Sequence, residues 1–209
     1  MINRITIQAY QVGLVFGKGK LINVLEAGSY WIFGNKQVHI YEMKQSFVAP
    51  IELTILLQNE KLASLLEVIE IADNEIALYY VNGMFKEVLT TGRYAFWKGY
   101  LDNTFTKIDL SKVEITEAVP VALLENIKVR AYTRKYQVLN FEKGLLFVNG
   151  AFVKELAAGN YYFWINAIPI EVKNVDIRQQ QMEIAGQELL TKDKATLRIN
   201  FFVRYQVIE

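Results

Sequence analysis

The sequence predicts a mainly β protein, built from three repeated antiparallel β-meander units with one or two short helices near 59–69 and 120–125. Three observations predict it. Paired glycines return at a constant interval, Asn-Gly steps stand between apolar runs, and the runs themselves are rich in Leu, Val, Phe and Tyr. Aligning Gly19, Gly83 and Gly150 also aligns Gly28, Gly92 and Gly159, nine residues later each time. Residues 79–97 and 146–164 are identical at nine of 19 positions: Val-Asn-Gly, a Phe, a Leu, the second Gly, and Tyr, Phe and Trp. The first copy, 15–33, keeps Gly19, Leu25, Gly28 and Tyr30, with Trp31 shifted. Spacings of 64 and then 67 residues mark a duplication.

Each unit follows from its residue types. An apolar strand runs into Asn-Gly, the strongest short hairpin signal, because a type I′ turn needs positive φ at both central residues. Phe85–Leu89 then returns antiparallel, and the second glycine marks another turn where a Cβ is penalised. Tyr94–Trp97 and Tyr161–Trp164 follow as aromatic strands. Between the units, Phe105–Ile115 and Leu197–Ile208 alternate mostly at strand spacing. Asn59 suits a helix N-cap before Leu62, Leu65, Leu66 and Ile69, which share one helical face. After Pro120, Val-Ala-Leu-Leu-Glu makes one or two helical turns. Three segments result, 1–70, 71–135 and 136–209, with no Gly/Ser linker between them.

Composition removes several functions. The chain of 209 residues has no cysteine, so disulfides, thiolate catalysis and Cys-based metal sites are absent together. Lys and Arg number 23 against 22 acids, which disfavours nucleic acid despite 12 Tyr, 12 Phe and 3 Trp. Trp97 and Trp164 recur at equivalent positions and read as core. His39 is the lone histidine and lacks a second ligand or nucleophile partner, so a strand position at a surface or in a small network suits it best. Gly17-Lys18-Gly19-Lys20 falls where the other copies have hairpin turns and is read as a turn, not a phosphate loop. The longest charge-free stretch, Leu156–Ile170, is 15 residues and is broken by Gly159, Asn160, Asn166 and Pro169, too short for a spanning helix. The N-terminus alternates polar and apolar and lacks a signal-peptide core.

Phe141-Glu-Lys-Gly-Leu-Leu-Phe, Gly150, Gly159, Pro169 and Val175-Asp176-Ile177-Arg178 stand in one order. Gly186 to Arg198, with Thr191-Lys192-Asp193 inside it, and Val203-Arg204-Tyr205-Gln206-Val207 follow. This series, over about residues 138–209, resembles the opening of the SPFH (band-7) domain of stomatin-like proteins, most closely bacterial slipins with a duplicated N-terminal extension. It departs from them in lacking the N-terminal membrane helix and in having Ala27, Thr91 and Ala158 where the family often has Pro before Gly. The sequence ends at Glu209, where the family's α/β half and long oligomerising helix begin, and a fragment is the expectation.

The resemblance implies a non-enzymatic, membrane-associated scaffold with no cofactor, metal or small-molecule substrate. A homo-oligomer is expected of the full-length protein, with a protein partner and a membrane surface as further contacts. Its expected location is cytoplasmic, peripheral at the inner face of the membrane. Asp176 and Arg178, two apart on an expected strand, are either an ion pair worth about 0–1 kcal/mol or, with Arg204, a contact to a neighbouring protomer. Thr191 to Lys194 reads as a polar turn. A second reading is a stand-alone adaptor that binds a peptide or protein along a free strand edge.

Overall fold

The computed structural model describes residues 2–208. The chain divides into two compact units, one ending at Ser111 and the other beginning at Lys112. The first unit holds β1 (Ile2–Ile7), β2 (Gln11–Gly17), β3 (Lys20–Leu25), β4 (Gly28–Phe33) and β5 (Gln37–Glu42). Two helices, α1 (Leu53–Leu56) and α2 (Glu60–Leu65), come next. They lead into β6 (Leu66–Ile71), β7 (Glu75–Val81), β8 (Met84–Leu89), β9 (Gly92–Trp97) and β10 (Asn103–Asp109). In the second unit α3 (Val121–Leu124) and α4 (Ile127–Arg130) precede β11 (Thr133–Val138), β12 (Glu142–Val148), β13 (Ala151–Leu156), β14 (Gly159–Trp164) and β15 (Ile170–Asp176). A long hairpin follows, β16 (Gln180–Leu190) and β17 (Thr196–Tyr205).

Three copies of one five-stranded unit are visible in the pairing. The sheets β3-β2-β5, β8-β7-β10 and β13-β12-β15 recur, each with a two-stranded companion, β1-β4, β6-β9 or β11-β14. All these pairs are antiparallel, and the fold is mainly β. The hairpin turns are of the expected kind, with φ of 52 and 76° at Lys18-Gly19, 50 and 75° at Asn82-Gly83, and 52 and 78° at Asn149-Gly150. Even a register shift repeats, at Val15/Phe16, Tyr79/Tyr80 and Leu146/Phe147. The second glycines open β4, β9 and β14, and here the chain leaves its hairpin. The aromatic strand pairs with the strand before the hairpin, not with its sequential neighbour. Gly92, at φ 147°, lies under the ring of Tyr94, so the bare Cα is shielded by the residue two further on.

One buried triad joins the two sheets of each copy. Gly13 faces Ile7 and pairs with Leu25; Ala77 pairs with Leu89; Gly144 faces Val138 and pairs with Leu156. A Cβ on Gly13 would lie 2.9 Å from Ile7 Cδ1, and one on Gly144 would lie 2.7 Å from Val138 Cγ2. Small residues at this place let the sheets approach. In the first unit, Val12, Leu14, Phe16 and Val24 on the far face of β2 and β3 meet Leu56 and Leu62 of the helices and Leu66, Ala95 and Trp97 of the second copy. Phe47 crosses β9, its N–H donating to the Ala95 carbonyl at 2.9 Å and its ring edge-on to Trp97 at 5.1 Å. In the second unit Val138, Leu146, Leu156, Phe163 and Ile170 form the core. Trp97 and Trp164 are 1 % and 0 % exposed, the core positions expected of them.

Among the described residues four short helices form where one or two were expected. Asn59 caps α2 as expected, accepting from the Leu62 N–H at 3.1 Å. Asn126 does the same for α4 from the Lys128 N–H at 3.0 Å. The first of the expected helices ends at Leu65, short of Ile69. Leu66–Ile71 instead pairs with β9 from Leu66↔Trp97 to Ile71↔Gly92, a tertiary pairing that overrides helical spacing. Likewise the strand expected over Phe105–Ile115 ends at Asp109, where the chain passes into the second unit.

Candidate interaction surfaces

The residue types that carry chemistry are dispersed. Among the described residues no group of three or more His, Asp or Glu is placed to hold a metal. His39 lies exposed on β5, edge-on to Phe16 at 5.4 Å. Gly17 to Lys20 is the type I′ turn of the first hairpin. Thr191 to Lys194 is the tip of the last hairpin. There the Thr191 N–H donates to the Ala195 carbonyl at 2.9 Å and the Ala195 N–H to Thr191 Oγ1 at 3.0 Å. A hydrogen bond from Thr191, then its own backbone amide, holds the Asp193 carboxyl below the usual carboxylate range. These bonds satisfy a turn.

Asp176 and Arg178 are not on one strand. β15 ends at Asp176, because its carboxylate takes the Arg178 backbone N–H at 2.9 Å and turns the chain. The Arg178 guanidinium closes on the same carboxylate, Nε at 3.1 Å and Nη2 at 2.6 Å, and sits 3.9 Å from the Phe141 ring centroid. The Arg178 side chain is the main cause, and its backbone N–H the next, of an Asp176 carboxyl held below its ordinary range. Arg204 is exposed on β17, opposite Gln181. The Gln206 amide donates to the Ile177 carbonyl at 2.8 Å and ties the end of the hairpin to its start.

The hairpin itself is amphipathic in an unusual way. Residues opposite one another share a face, so the register puts Met182, Ile184, Leu189, Leu197, Ile199, Phe201, Val203 and Tyr205 on one side. A shift between Ile184 and Gln187 keeps Leu189 and Leu197 in phase with the rest. Seven of the eight are 38–52 % exposed. The other side carries Glu183, Glu188, Arg198 and Arg204, with Phe202 and Leu190. Sequence reading found the alternation in Leu197–Ile208. It did not foresee that the partner strand β16 would match it face for face, since the bulge at residues 185–186 breaks the period.

An open groove of about 630 Å³ lies beside the hairpin's base, lined by Lys143, Leu145, Glu155, Val175, Val207 and Ile208. Its floor is the outer face of β12 and β13. In the first copy the equivalent face is Val12, Leu14 and Val24, all buried. Here Lys143 and Glu155 replace the two valines and form an ion pair at 3.1 Å. The face that is apolar and covered in the first copy is polar and open in the third.

A family model described as SPFH domain / Band 7 family matches residues 69–209. No curated protein and no solved structure matches the chain significantly. Among the described residues no helix is long and apolar enough to cross a membrane.

Proposed function

The chain belongs to the SPFH domain / Band 7 family, and from that premise we propose that it is a non-enzymatic, stomatin- or slipin-like scaffold at a membrane surface, assembling with further copies of itself. The observation that carries the reading is the β16–β17 hairpin, which displays one continuous uncharged face of eight large side chains. Isolated two-stranded hairpins are marginal in water, and contiguous apolar faces of this extent mark places where protein packs on protein. Sheet-on-sheet contact between two such faces is self-complementary and buries both. Asp176 and Arg178, at the base of the hairpin, are then polar rim contacts to a neighbouring protomer, while Arg204, on the hairpin's other side, is left for a protomer contact outside that packed face.

Sedimentation velocity across a concentration series tests this. The wild-type chain is expected to self-associate, and Phe201→Glu with Val203→Glu, both solvent-facing, to shift it to monomer with an unchanged circular dichroism spectrum. A chain that stays monomeric at every concentration would contradict the assembly.

A further inference from the structure

The first copy departs from the other two at one end, and the departures share a chemistry. Its two-stranded sheet turns Ile2, Arg4 and Thr6 of β1 and Ser29, Trp31 and Phe33 of β4 to one side. The positions equivalent to Ile2 and Phe33 are Leu66 and Trp97 in the second copy and Thr133 and Trp164 in the third, all buried. In the first copy Ile2, Trp31 and Phe33 are each 59–60 % exposed. Arg4 lies over the Trp31 ring at 5.9 Å.

Cations gather at the same end. The register brings the β2–β3 turn beside the start of β5, since Phe16 pairs with Gln37 and a Cβ on Gly17 would reach Lys36 Cγ at 3.9 Å. Lys18, Lys20 and Lys36 are exposed there, and among the described residues none of them has an acidic partner. Their counterparts are Asn82, Met84 and Tyr100 in the second copy and Asn149, Ala151 and Ala167 in the third. Lys18 even occupies a left-handed position, φ 52°, that Asn fills in both other copies. Over residues 1–41, Arg4, Lys18, Lys20 and Lys36 stand against Glu26 alone, and Glu26 is bound by Lys61 at 2.9 Å. Overall the chain carries only +1, so the excess is local.

We propose that this end of the first copy is a lipid-docking tip, with Trp31, Phe33 and Ile2 entering the headgroup region of an anionic bilayer and Lys18, Lys20 and Lys36 binding its phosphates. Indole and phenyl groups favour the membrane–water interface, and basic side chains beside them are attracted to anionic leaflets. Charge argues for the occupant: over residues 1–41 four cations stand against one acid, already paired with Lys61, and such an excess beside exposed indole and phenyl groups matches an anionic leaflet. The inference rests on the membrane-scaffold reading and names the surface that serves it.

The test is flotation of the full chain with phosphatidylcholine vesicles, with and without phosphatidylglycerol, while tryptophan emission is followed. Trp97 and Trp164 are already buried, so a blue shift reports Trp31. Expected are binding to the anionic vesicles only, a blue shift, and protection of Trp31 from acrylamide. Lys18→Glu with Lys20→Glu and Lys36→Glu should weaken binding about a hundredfold, and raised salt should weaken it too. Trp31→Ser with Phe33→Ser, both surface positions, should abolish the shift and lower partitioning at least about tenfold. If the chain floats while Trp31 stays quenchable and the variants bind like wild type, the tip is refuted and the membrane reading survives through another surface. A chain that floats with neither kind of vesicle refutes both. If Trp31 is shielded without lipid in a concentration-dependent manner that Trp31→Ser removes, protein covers the tip and the lipid proposal falls.

Discussion

Gly144 and Gly13 show how one missing methyl sets the distance between two sheets. A Cβ at residue 144 would meet Val138 Cγ2 at 2.7 Å and Leu156 Cβ at 3.2 Å, and neither neighbour is a flexible chain end. Gly144→Ala is therefore expected to destabilise the protein by about 1–3 kcal/mol, read as a lower urea midpoint at unchanged slope. Adding Val138→Ala should recover part of that loss, as coupled neighbours do. The turn glycines were legible because Asn-Gly advertises its own conformation. Gly13 and Gly144 were not, since Ala77 breaks the identity and the demand for a small residue comes from across the sheets. Asp176 offers a second residue-scale expectation. Its carboxyl is held low by Arg178, so its contribution is fully present above the unfolded value and fades as pH falls through the depressed one. An NMR titration should find its midpoint below the ordinary aspartate value of 3.8, and Arg178→Ala should return it toward that value.

At the scale of elements, the connections between copies repeat as faithfully as the strands. Asn59 and Asn126 cap α2 and α4, each helix burying one residue, Leu62 or Val129. Replacing either Asn by Ala should cost about 1 kcal/mol, measurable by thermal or urea unfolding. A cost under a few tenths at both sites would show that packing alone holds these turns. The Asn59 cap could be read from sequence, but the end of α2 could not. Leu65, Leu66 and Ile69 have helical spacing, and only the pairing of Leu66 with Trp97 across 31 positions makes the segment a strand. The two-sheet crossing was hidden for the same reason: local sequence announces a reversal at Gly92 without saying which strand receives the chain.

On the scale of the molecule, the two proposed contacts fall on apolar faces that lie exposed, the β16–β17 hairpin and the end of the first copy. The order of the hairpins, the core tryptophans and the family were all legible, because each rests on residues near one another in the chain. The hairpin's apolar face was only half legible, through β17, and the basic aromatic tip was seen merely as the copy in which Trp31 had moved. Both depend on comparing equivalent positions in space. The central claim is that the β16–β17 face is covered by another copy when the scaffold assembles. Hydrogen–deuterium exchange at low and high protein concentration tests it most directly. Amides of Gln180–Leu190 and Thr196–Tyr205 should gain protection as concentration rises, while β2, β7 and β12 stay protected throughout. Protection that rises elsewhere and leaves the hairpin as exchangeable as in the monomer would contradict the account.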